Sequence, residues 1–117
     1  MDFAIEVGAS SDPKVSILKV RGELDSFTSP QLNEEAMKIL TSCHPYCIIE
    51  LSETNYLDSS ALHVLFQCMY HTKQHGGKIA LACLNPRIDR VFRITKMDKI
   101  ISIFDTVEDA TEFLACT

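Results

Sequence analysis

An α/β sandwich is the fold class the sequence predicts, with helices crossing over between mostly parallel strands and a first strand that pairs antiparallel. Three observations predict it. Strand-like and helix-like segments follow the order β-β-α-β-α-β-α-β-α, which gives a mixed sheet of about five strands and about four helices. Two short apolar runs, Tyr46–Leu51 and Lys78–Ala82, lack the alternation of a half-solvated strand, as expected of strands covered on both faces. Between them Leu62, Leu65, Phe66 and Met69 recur at the spacing of one buried helical stripe.

Each element has its own local signal. Phe3–Val7 and Val15–Val20 carry β-branched and apolar residues and flank the turn-rich segment Gly8–Pro13, so they read as an antiparallel pair. A helix is predicted from Thr28 or Ser29, where a hydroxyl cap, Pro30 in the first turn and Leu32, Ala36, Ile39 and Leu40 at helical spacing agree; it ends before Pro45. Tyr46–Leu51 is the central strand, and the longest helix runs from Ser59 to His75, stopped by Gly76-Gly77. After Lys78–Ala82, Asn85-Pro86 opens a short helix with Ile88, Val91, Phe92 and Thr95 on one side. Ile100–Phe104 forms the last strand and Thr106–Cys116 the last helix.

Composition narrows the function classes. The chain has 117 residues, 46% of them hydrophobic, which suffices for one core and leaves no room for a second domain, so residues 1–117 are expected to be a single domain. Its net charge of -5 repels nucleic-acid backbones and anionic membrane surfaces. No apolar run approaches the ~18 residues of a membrane helix, and Met1–Val7 lacks a signal-peptide layout, so a cytoplasmic protein is expected. Cys43, Cys47, Cys68, Cys83 and Cys116 are odd in number and scattered, as reduced thiols would be.

Asn55–Leu62 joins the central strand to the longest helix and is the most informative stretch. With Asp58 as N-cap, Leu57 and Leu62 fall at the positions of a hydrophobic staple and Ser59 and Ser60 lie in the first turn. Capping chemistry alone accounts for that pattern. The longer segment Leu57-Asp58-Ser59-Ser60-Ala61-Leu62-His63-Val64-Leu65, however, resembles the signature of STAS domains of the anti-sigma factor antagonist type. The resemblance continues in Val20-Arg21-Gly22-Glu23-Leu24-Asp25, Gly76-Gly77-Lys78-Ile79, Pro86–Phe92 and Ile100-Ile101, and so spans nearly the whole chain.

The resemblance implies a STAS-type sandwich and a partner switch without catalysis by the chain itself. The unmodified protein would bind an anti-sigma factor that is also a serine kinase, freeing the sigma factor. Phosphorylation at Ser59 would end that complex, and a metal-dependent serine phosphatase would reset it. ATP and magnesium would belong to the kinase, leaving no cofactor on this chain. The expected partner-binding residues are Asp25 and Ser26 on a nearby loop, with Asp58, Ser60 and Ala61 around the phosphoacceptor; for Asp25 a plain turn role stands equally open. Ala61 replaces the glycine usual in the signature; it favours the helix by ~1 kcal/mol and adds a methyl beside Ser59 that is expected to tighten the fit demanded of a kinase. Because STAS domains also serve as lipid- or nucleotide-binding or transporter-associated modules, an adaptor with no sigma-factor role is the alternative.

Other chemistries are weaker. Cys68, His71 and His75 are expected on one helix face opposite the apolar stripe, where a solvated surface explains them better than a metal. In Cys43-His44-Pro45-Tyr46-Cys47 a loop entering the core outweighs zinc. Ser59 with His63 lacks an oriented acid and a nucleophile elbow, so no catalytic residue is assigned. Arg87, Arg90 and Arg93 form one basic helix edge, read as solvated. A phospho-receiver domain is excluded because the first strands lack paired acids for magnesium.

Overall fold

The computed structural model describes residues 2–116. Strands β1 (Ala4–Ala9), β2 (Val15–Leu24), β3 (Tyr46–Leu57), β4 (Lys78–Ala82) and β5 (Ser102–Phe104) lie side by side in that order. β1 runs antiparallel to β2, and the remaining neighbours are parallel. Helices α1 (Ser29–Leu40), α2 (Ser59–His75), α3 (Pro86–Ile94) and α4 (Val107–Ala115) provide the connections and the last element. This is the mixed sheet of five strands with four helices that the sequence predicts.

The unbroken apolar runs are explained by a core on each face of the sheet. Cys47, Ile49 and Leu51 of β3 and Ile79 and Leu81 of β4 point into the larger core with Leu32 and Ala36 of α1, Leu65 of α2 and Phe92 of α3. The intervening Ile48, Ala80 and Ala82 point the other way, against Ala110 and Leu114 of α4. Successive strand residues face opposite sides, so a strand sandwiched between helices must be apolar at every position.

Two strands run further than their apolar patterns. β2 continues through Arg21–Leu24 and β3 through Ser52–Leu57, where the sequence predicts loops. These polar extensions pair with each other, Arg21 opposite Glu53 and Leu24 opposite Leu57, with register shifts between Lys19 and Arg21 and between Gly22 and Glu23. Side chains on the open face form ion pairs there, Lys19 to Glu53 at 2.9 Å and Arg21 to Glu6 at 2.8 Å. The last strand is shorter than expected: a 3-10 turn at Met97–Lys99 precedes it, and Ile101 sits in the core instead.

The buried stripe of α2 is rotated by one residue from the predicted one. Ala61, Val64, Leu65 and Cys68 are buried, whereas Phe66 is 49% exposed. Both sets have the same helical spacing and share Leu65, and Leu62 and Met69 of the predicted set still pack partly buried against the same core. The rotation puts Cys68 in the core rather than on a solvated face opposite the apolar stripe, while His71 is half-buried and His75, at the end of the helix, is exposed. Cys47 is likewise buried and Cys43 exposed, which separates the ends of the Cys43–Cys47 cluster. Burial pushes the Cys68 thiol up to about 11, and the Cys47 thiol is raised in the same way. Among the described residues no group of His, Cys, Asp or Glu is arranged to hold a metal ion.

α2 ends as predicted at Gly76, which adopts a positive φ of 88°. Gly77 is required for a different reason. Its φ is 95°, and a Cβ there would stand 2.6 Å from the Pro45 carbonyl oxygen, the group that accepts the N–H of Lys78. The predicted basic edge of α3 is exposed, but Arg93 is engaged with Asp89 and Asp98 at 3.2 Å each.

Candidate functional site

The loops that follow β2, β3 and β4 gather at the carboxyl edge of the parallel strands, where binding sites of α/β sheets concentrate. The pairing of Leu24 with Leu57 places the first two side by side, and the Asp58 N–H donates to the Leu24 carbonyl oxygen at 3.2 Å. The third is tied in by Asn85, whose Nδ2 donates to the Thr54 carbonyl oxygen at 2.8 Å while its Oδ1 caps α3 by accepting from the Ile88 N–H. Two of the predicted site segments, around Asp25 and around Ser59, are therefore neighbours.

Asp58 is the N-cap of α2: its backbone is extended and its Oδ1 accepts from the Ser60 N–H at 2.8 Å. The Asp58 carbonyl oxygen accepts from the N–H groups of Ala61 and Leu62, which closes the first turn. Ser59, the first residue of the helix, is exposed, and its hydroxyl makes no hydrogen bond among the described residues. Ser60 is half-buried and turns toward α1, and Leu57 is buried behind the cap.

Ala61 is fully buried in the core. Its methyl faces the interior rather than lying beside Ser59 on the surface, which corrects the expectation that it touches a partner. What the substitution for glycine changes is the stiffness and packing of the first turn.

Asp25 has the turn role. Its Oδ1 accepts from the N–H groups of Phe27 at 2.9 Å and Thr28 at 3.0 Å. These two bonds, Thr28 first, hold the Asp25 carboxyl below the usual carboxylate range. Thr28 does not cap α1 through its hydroxyl as predicted. Its Oγ1 accepts from the Asp25 N–H at 2.8 Å and donates to the Glu23 carbonyl oxygen at 2.7 Å, locking the loop instead. Ser26 is exposed at the loop surface.

Between the first turns of α1 and α2 lies an open depression of about 330 Å³ lined by Ser26, Ser29, Asn33, Ser60, His63 and Gln67. It carries no acidic side chain, and the Ser29 hydroxyl buried at its base has no hydrogen-bond partner among the described residues. His63 lines it without an oriented carboxylate among the described residues. Sequence reasoning passed over Phe27, which is 86% exposed on the same loop as Asp25; the available signal was an aromatic residue inside a turn of small polar ones.

Comparison with known proteins agrees with this architecture. The STAS domain family model matches residues 7–110. An anti-sigma-B factor antagonist from Listeria monocytogenes is 30% identical over 104 residues, covering 88% of this chain and 90% of the relative. A relative from Thermotoga neapolitana is 35% identical over 65 residues, which is 56% of this chain and 58% of its own length. The crystal structure of an anti-sigma factor antagonist from Mycobacterium paratuberculosis superposes with a TM-score of 0.79 at 25% identity, covering 97% of this chain and 95% of the other.

Proposed function

The chain belongs to the STAS domain family, and from that premise we propose that it is an anti-sigma factor antagonist, a regulatory binding protein of the cytoplasm with no catalytic step of its own. In this reading the unphosphorylated chain binds an anti-sigma factor serine kinase and thereby releases the sigma factor. The kinase, carrying ATP and magnesium, transfers phosphate to Ser59, the complex ends, and a serine phosphatase restores the binding form. The names of the similar proteins support the antagonist role over a lipid-binding, nucleotide-binding or transporter-associated adaptor. Absence of membrane contact belongs to the same reading; among the described residues no helix is long and apolar enough to cross a membrane.

The observation that carries the proposal is the presentation of Ser59. Its neighbours on both sides are committed to the cap of α2, while its own hydroxyl is exposed and unengaged at the first helical position. A kinase can reach it without unfolding the turn. Phosphate there adds about -1.5 to -2 charge, taking the chain from -5 to about -7. The dipole of α2 offsets only ~0.3–1 kcal/mol of that. The new charge lands beside Asp58 and faces the phosphates of the nucleotide left in the kinase. An unpaired charge in a desolvated interface costs several kcal/mol, and ~2.7 kcal/mol weakens binding about a hundredfold. Release then requires no rearrangement of the fold.

The test is incubation with the purified anti-sigma factor kinase of the same organism and ATP, followed by intact-mass measurement of the wild type and Ser59→Ala. One phosphate on the wild type and none on the variant is the expected result. Equal uptake by both assigns the phosphate elsewhere and removes the reading of Ser59.

A further inference from the structure

Resting on the antagonist reading, we propose that Phe27 is the aromatic anchor by which this chain holds its kinase, entering an apolar pocket framed by Lys or Arg side chains on that partner. At 86% exposure it is the most exposed of the large apolar side chains among the described residues. A single exposed aromatic residue is ordinary in itself. Its mounting is not.

The backbone on both sides of the ring is pinned. The Phe27 and Thr28 N–H groups donate to Asp25 Oδ1 at 2.9 and 3.0 Å, and the Thr28 hydroxyl donates to the Glu23 carbonyl oxygen at 2.7 Å. The ordering cost of the loop is thus met on folding, and only the two side-chain torsions of the phenyl group remain to be fixed on binding. The position also matters. Through the bond from the Asp58 N–H to the Leu24 carbonyl oxygen the loop is fastened next to the start of α2, which places Phe27 within the span of an ordinary interface, about 800 Å² per partner, centred on Ser59. Ser26, the residue before it, lines the depression shared with Ser60 and His63, which puts a knob beside a hollow on one surface.

Charge selects the occupant. No Lys, Arg or His occurs from Gly22 to Met37 or from Glu50 to Leu62, the segments that carry Phe27 and Ser59, whereas Glu23, Asp25 and Asp58 do; Arg21 just outside them is paired with Glu6 and Glu53, and His63 borders the depression. A basic frame on the partner complements these acids and hastens encounter. A second copy of this chain would bring the same acids face to face in a symmetric contact, and an anionic membrane surface is repelled for the same reason.

The experiment is calorimetric titration of the unphosphorylated chain with the purified anti-sigma factor kinase of the same organism at low and high salt. Wild type, Phe27→Ala, Phe27→Leu and Glu23→Gln are compared. The Phe27 variants keep the backbone N–H that forms the turn and expose no new core, so their fold is retained, checked by circular dichroism. Phe27→Ala is expected to weaken binding about 30-fold (~2 kcal/mol), Phe27→Leu less. The wild-type Kd should rise with salt, and that of Glu23→Gln should rise less steeply. Phe27→Ala within threefold of wild type overturns the anchor, and a salt-independent wild-type Kd overturns the basic frame. A homodimer in light scattering that Phe27→Ala dissolves assigns the ring to a second copy and overturns the proposal. The mass assay for phosphate on Ser59 separates the two levels. Wild type that neither binds nor accepts phosphate brings down the antagonist reading and the anchor with it; wild type that does both while Phe27→Ala binds equally brings down the anchor alone.

Discussion

Restoring glycine at position 61 separates the two roles that this residue could have. Ala61 is 0% exposed and packs in the larger core with Leu65 and Cys68 on the inner stripe of α2. Ala61→Gly removes one buried methyl, worth ~0.8 kcal/mol at the usual value for a buried CH₂ group. It also gives up the helix preference of alanine over glycine, at most ~1 kcal/mol, and less this close to the helix start. The sum is about 1.5 kcal/mol. For a chain of this length such a loss lowers Tm by about 5–9 °C. Urea unfolding should show a lower midpoint at unchanged slope, since the surface exposed on unfolding hardly changes. Phosphate uptake at Ser59, measured below the new midpoint, should stay within a few-fold of wild type, because the methyl faces away from the surface that a kinase meets. A variant of undiminished stability whose phosphorylation rate changes tenfold would refute the reasoning, since it would put the methyl at the surface.

Two further outcomes are expected. Leu65→Ala should destabilise by ~2–5 kcal/mol in urea titrations and Phe66→Ala by under ~1 kcal/mol, because Leu65 is fully buried and Phe66 half-exposed; the reverse order would restore the stripe through Leu62, Phe66 and Met69. For Asp25, whose carboxyl is lowered by the N–H groups of Thr28 and Phe27, a depressed native pKa contributes stability that is fully present above the unfolded value near ~3.9 and is lost as pH falls through the native value. Asp25→Asn keeps an acceptor oxygen but does not titrate, so thermal scans from about pH 5 downward should show a shallower loss of stability than wild type, and superimposable acid limbs would count against the turn geometry.

The fold was legible wherever burial is two-sided or a cap is present. Tyr46–Leu51 and Lys78–Ala82 announced covered strands because both of their faces meet helices, and Asp58 and Asn85 announced helix starts through capping chemistry that acts within a few residues. Three features were not legible, each for a physical reason. The polar ends of β2 and β3 resemble loops because their outward side chains are charged; it is a partner strand, invisible to local pattern, that makes them strands. The phase of α2 was ambiguous because two sets of residues one position apart share the helical period, and local spacing does not distinguish the buried Ala61, Val64 and Cys68 from Leu62, Phe66 and Met69. The locked loop after β2 was hidden because Thr28 reads as a cap for α1, whereas its hydroxyl is used to lock Asp25 and Glu23.

The polar extensions also account for where the proposed switch stands. Without the pairs Glu23–Tyr56 and Leu24–Leu57, the connections to α1 and α2 would leave the sheet at Val20 and Leu51, several residues earlier, and nothing would hold Asp25 beside Asp58. The ion pairs of Lys19 and Arg21 with Glu53 on the open face are partly exposed, so solvent screens them and they contribute little to positioning. Positioning therefore comes from the backbone ladder and from buried Thr54, whose hydroxyl donates to the Val20 carbonyl oxygen at 2.9 Å across the register shift. Removing the surface charges should leave Ser59 where it is, while disturbing Thr54 moves the site as a unit. A stretch that looks like a linker in composition is, in the folded chain, the frame that joins Ser59, the proposed phosphoacceptor, to its neighbouring loop.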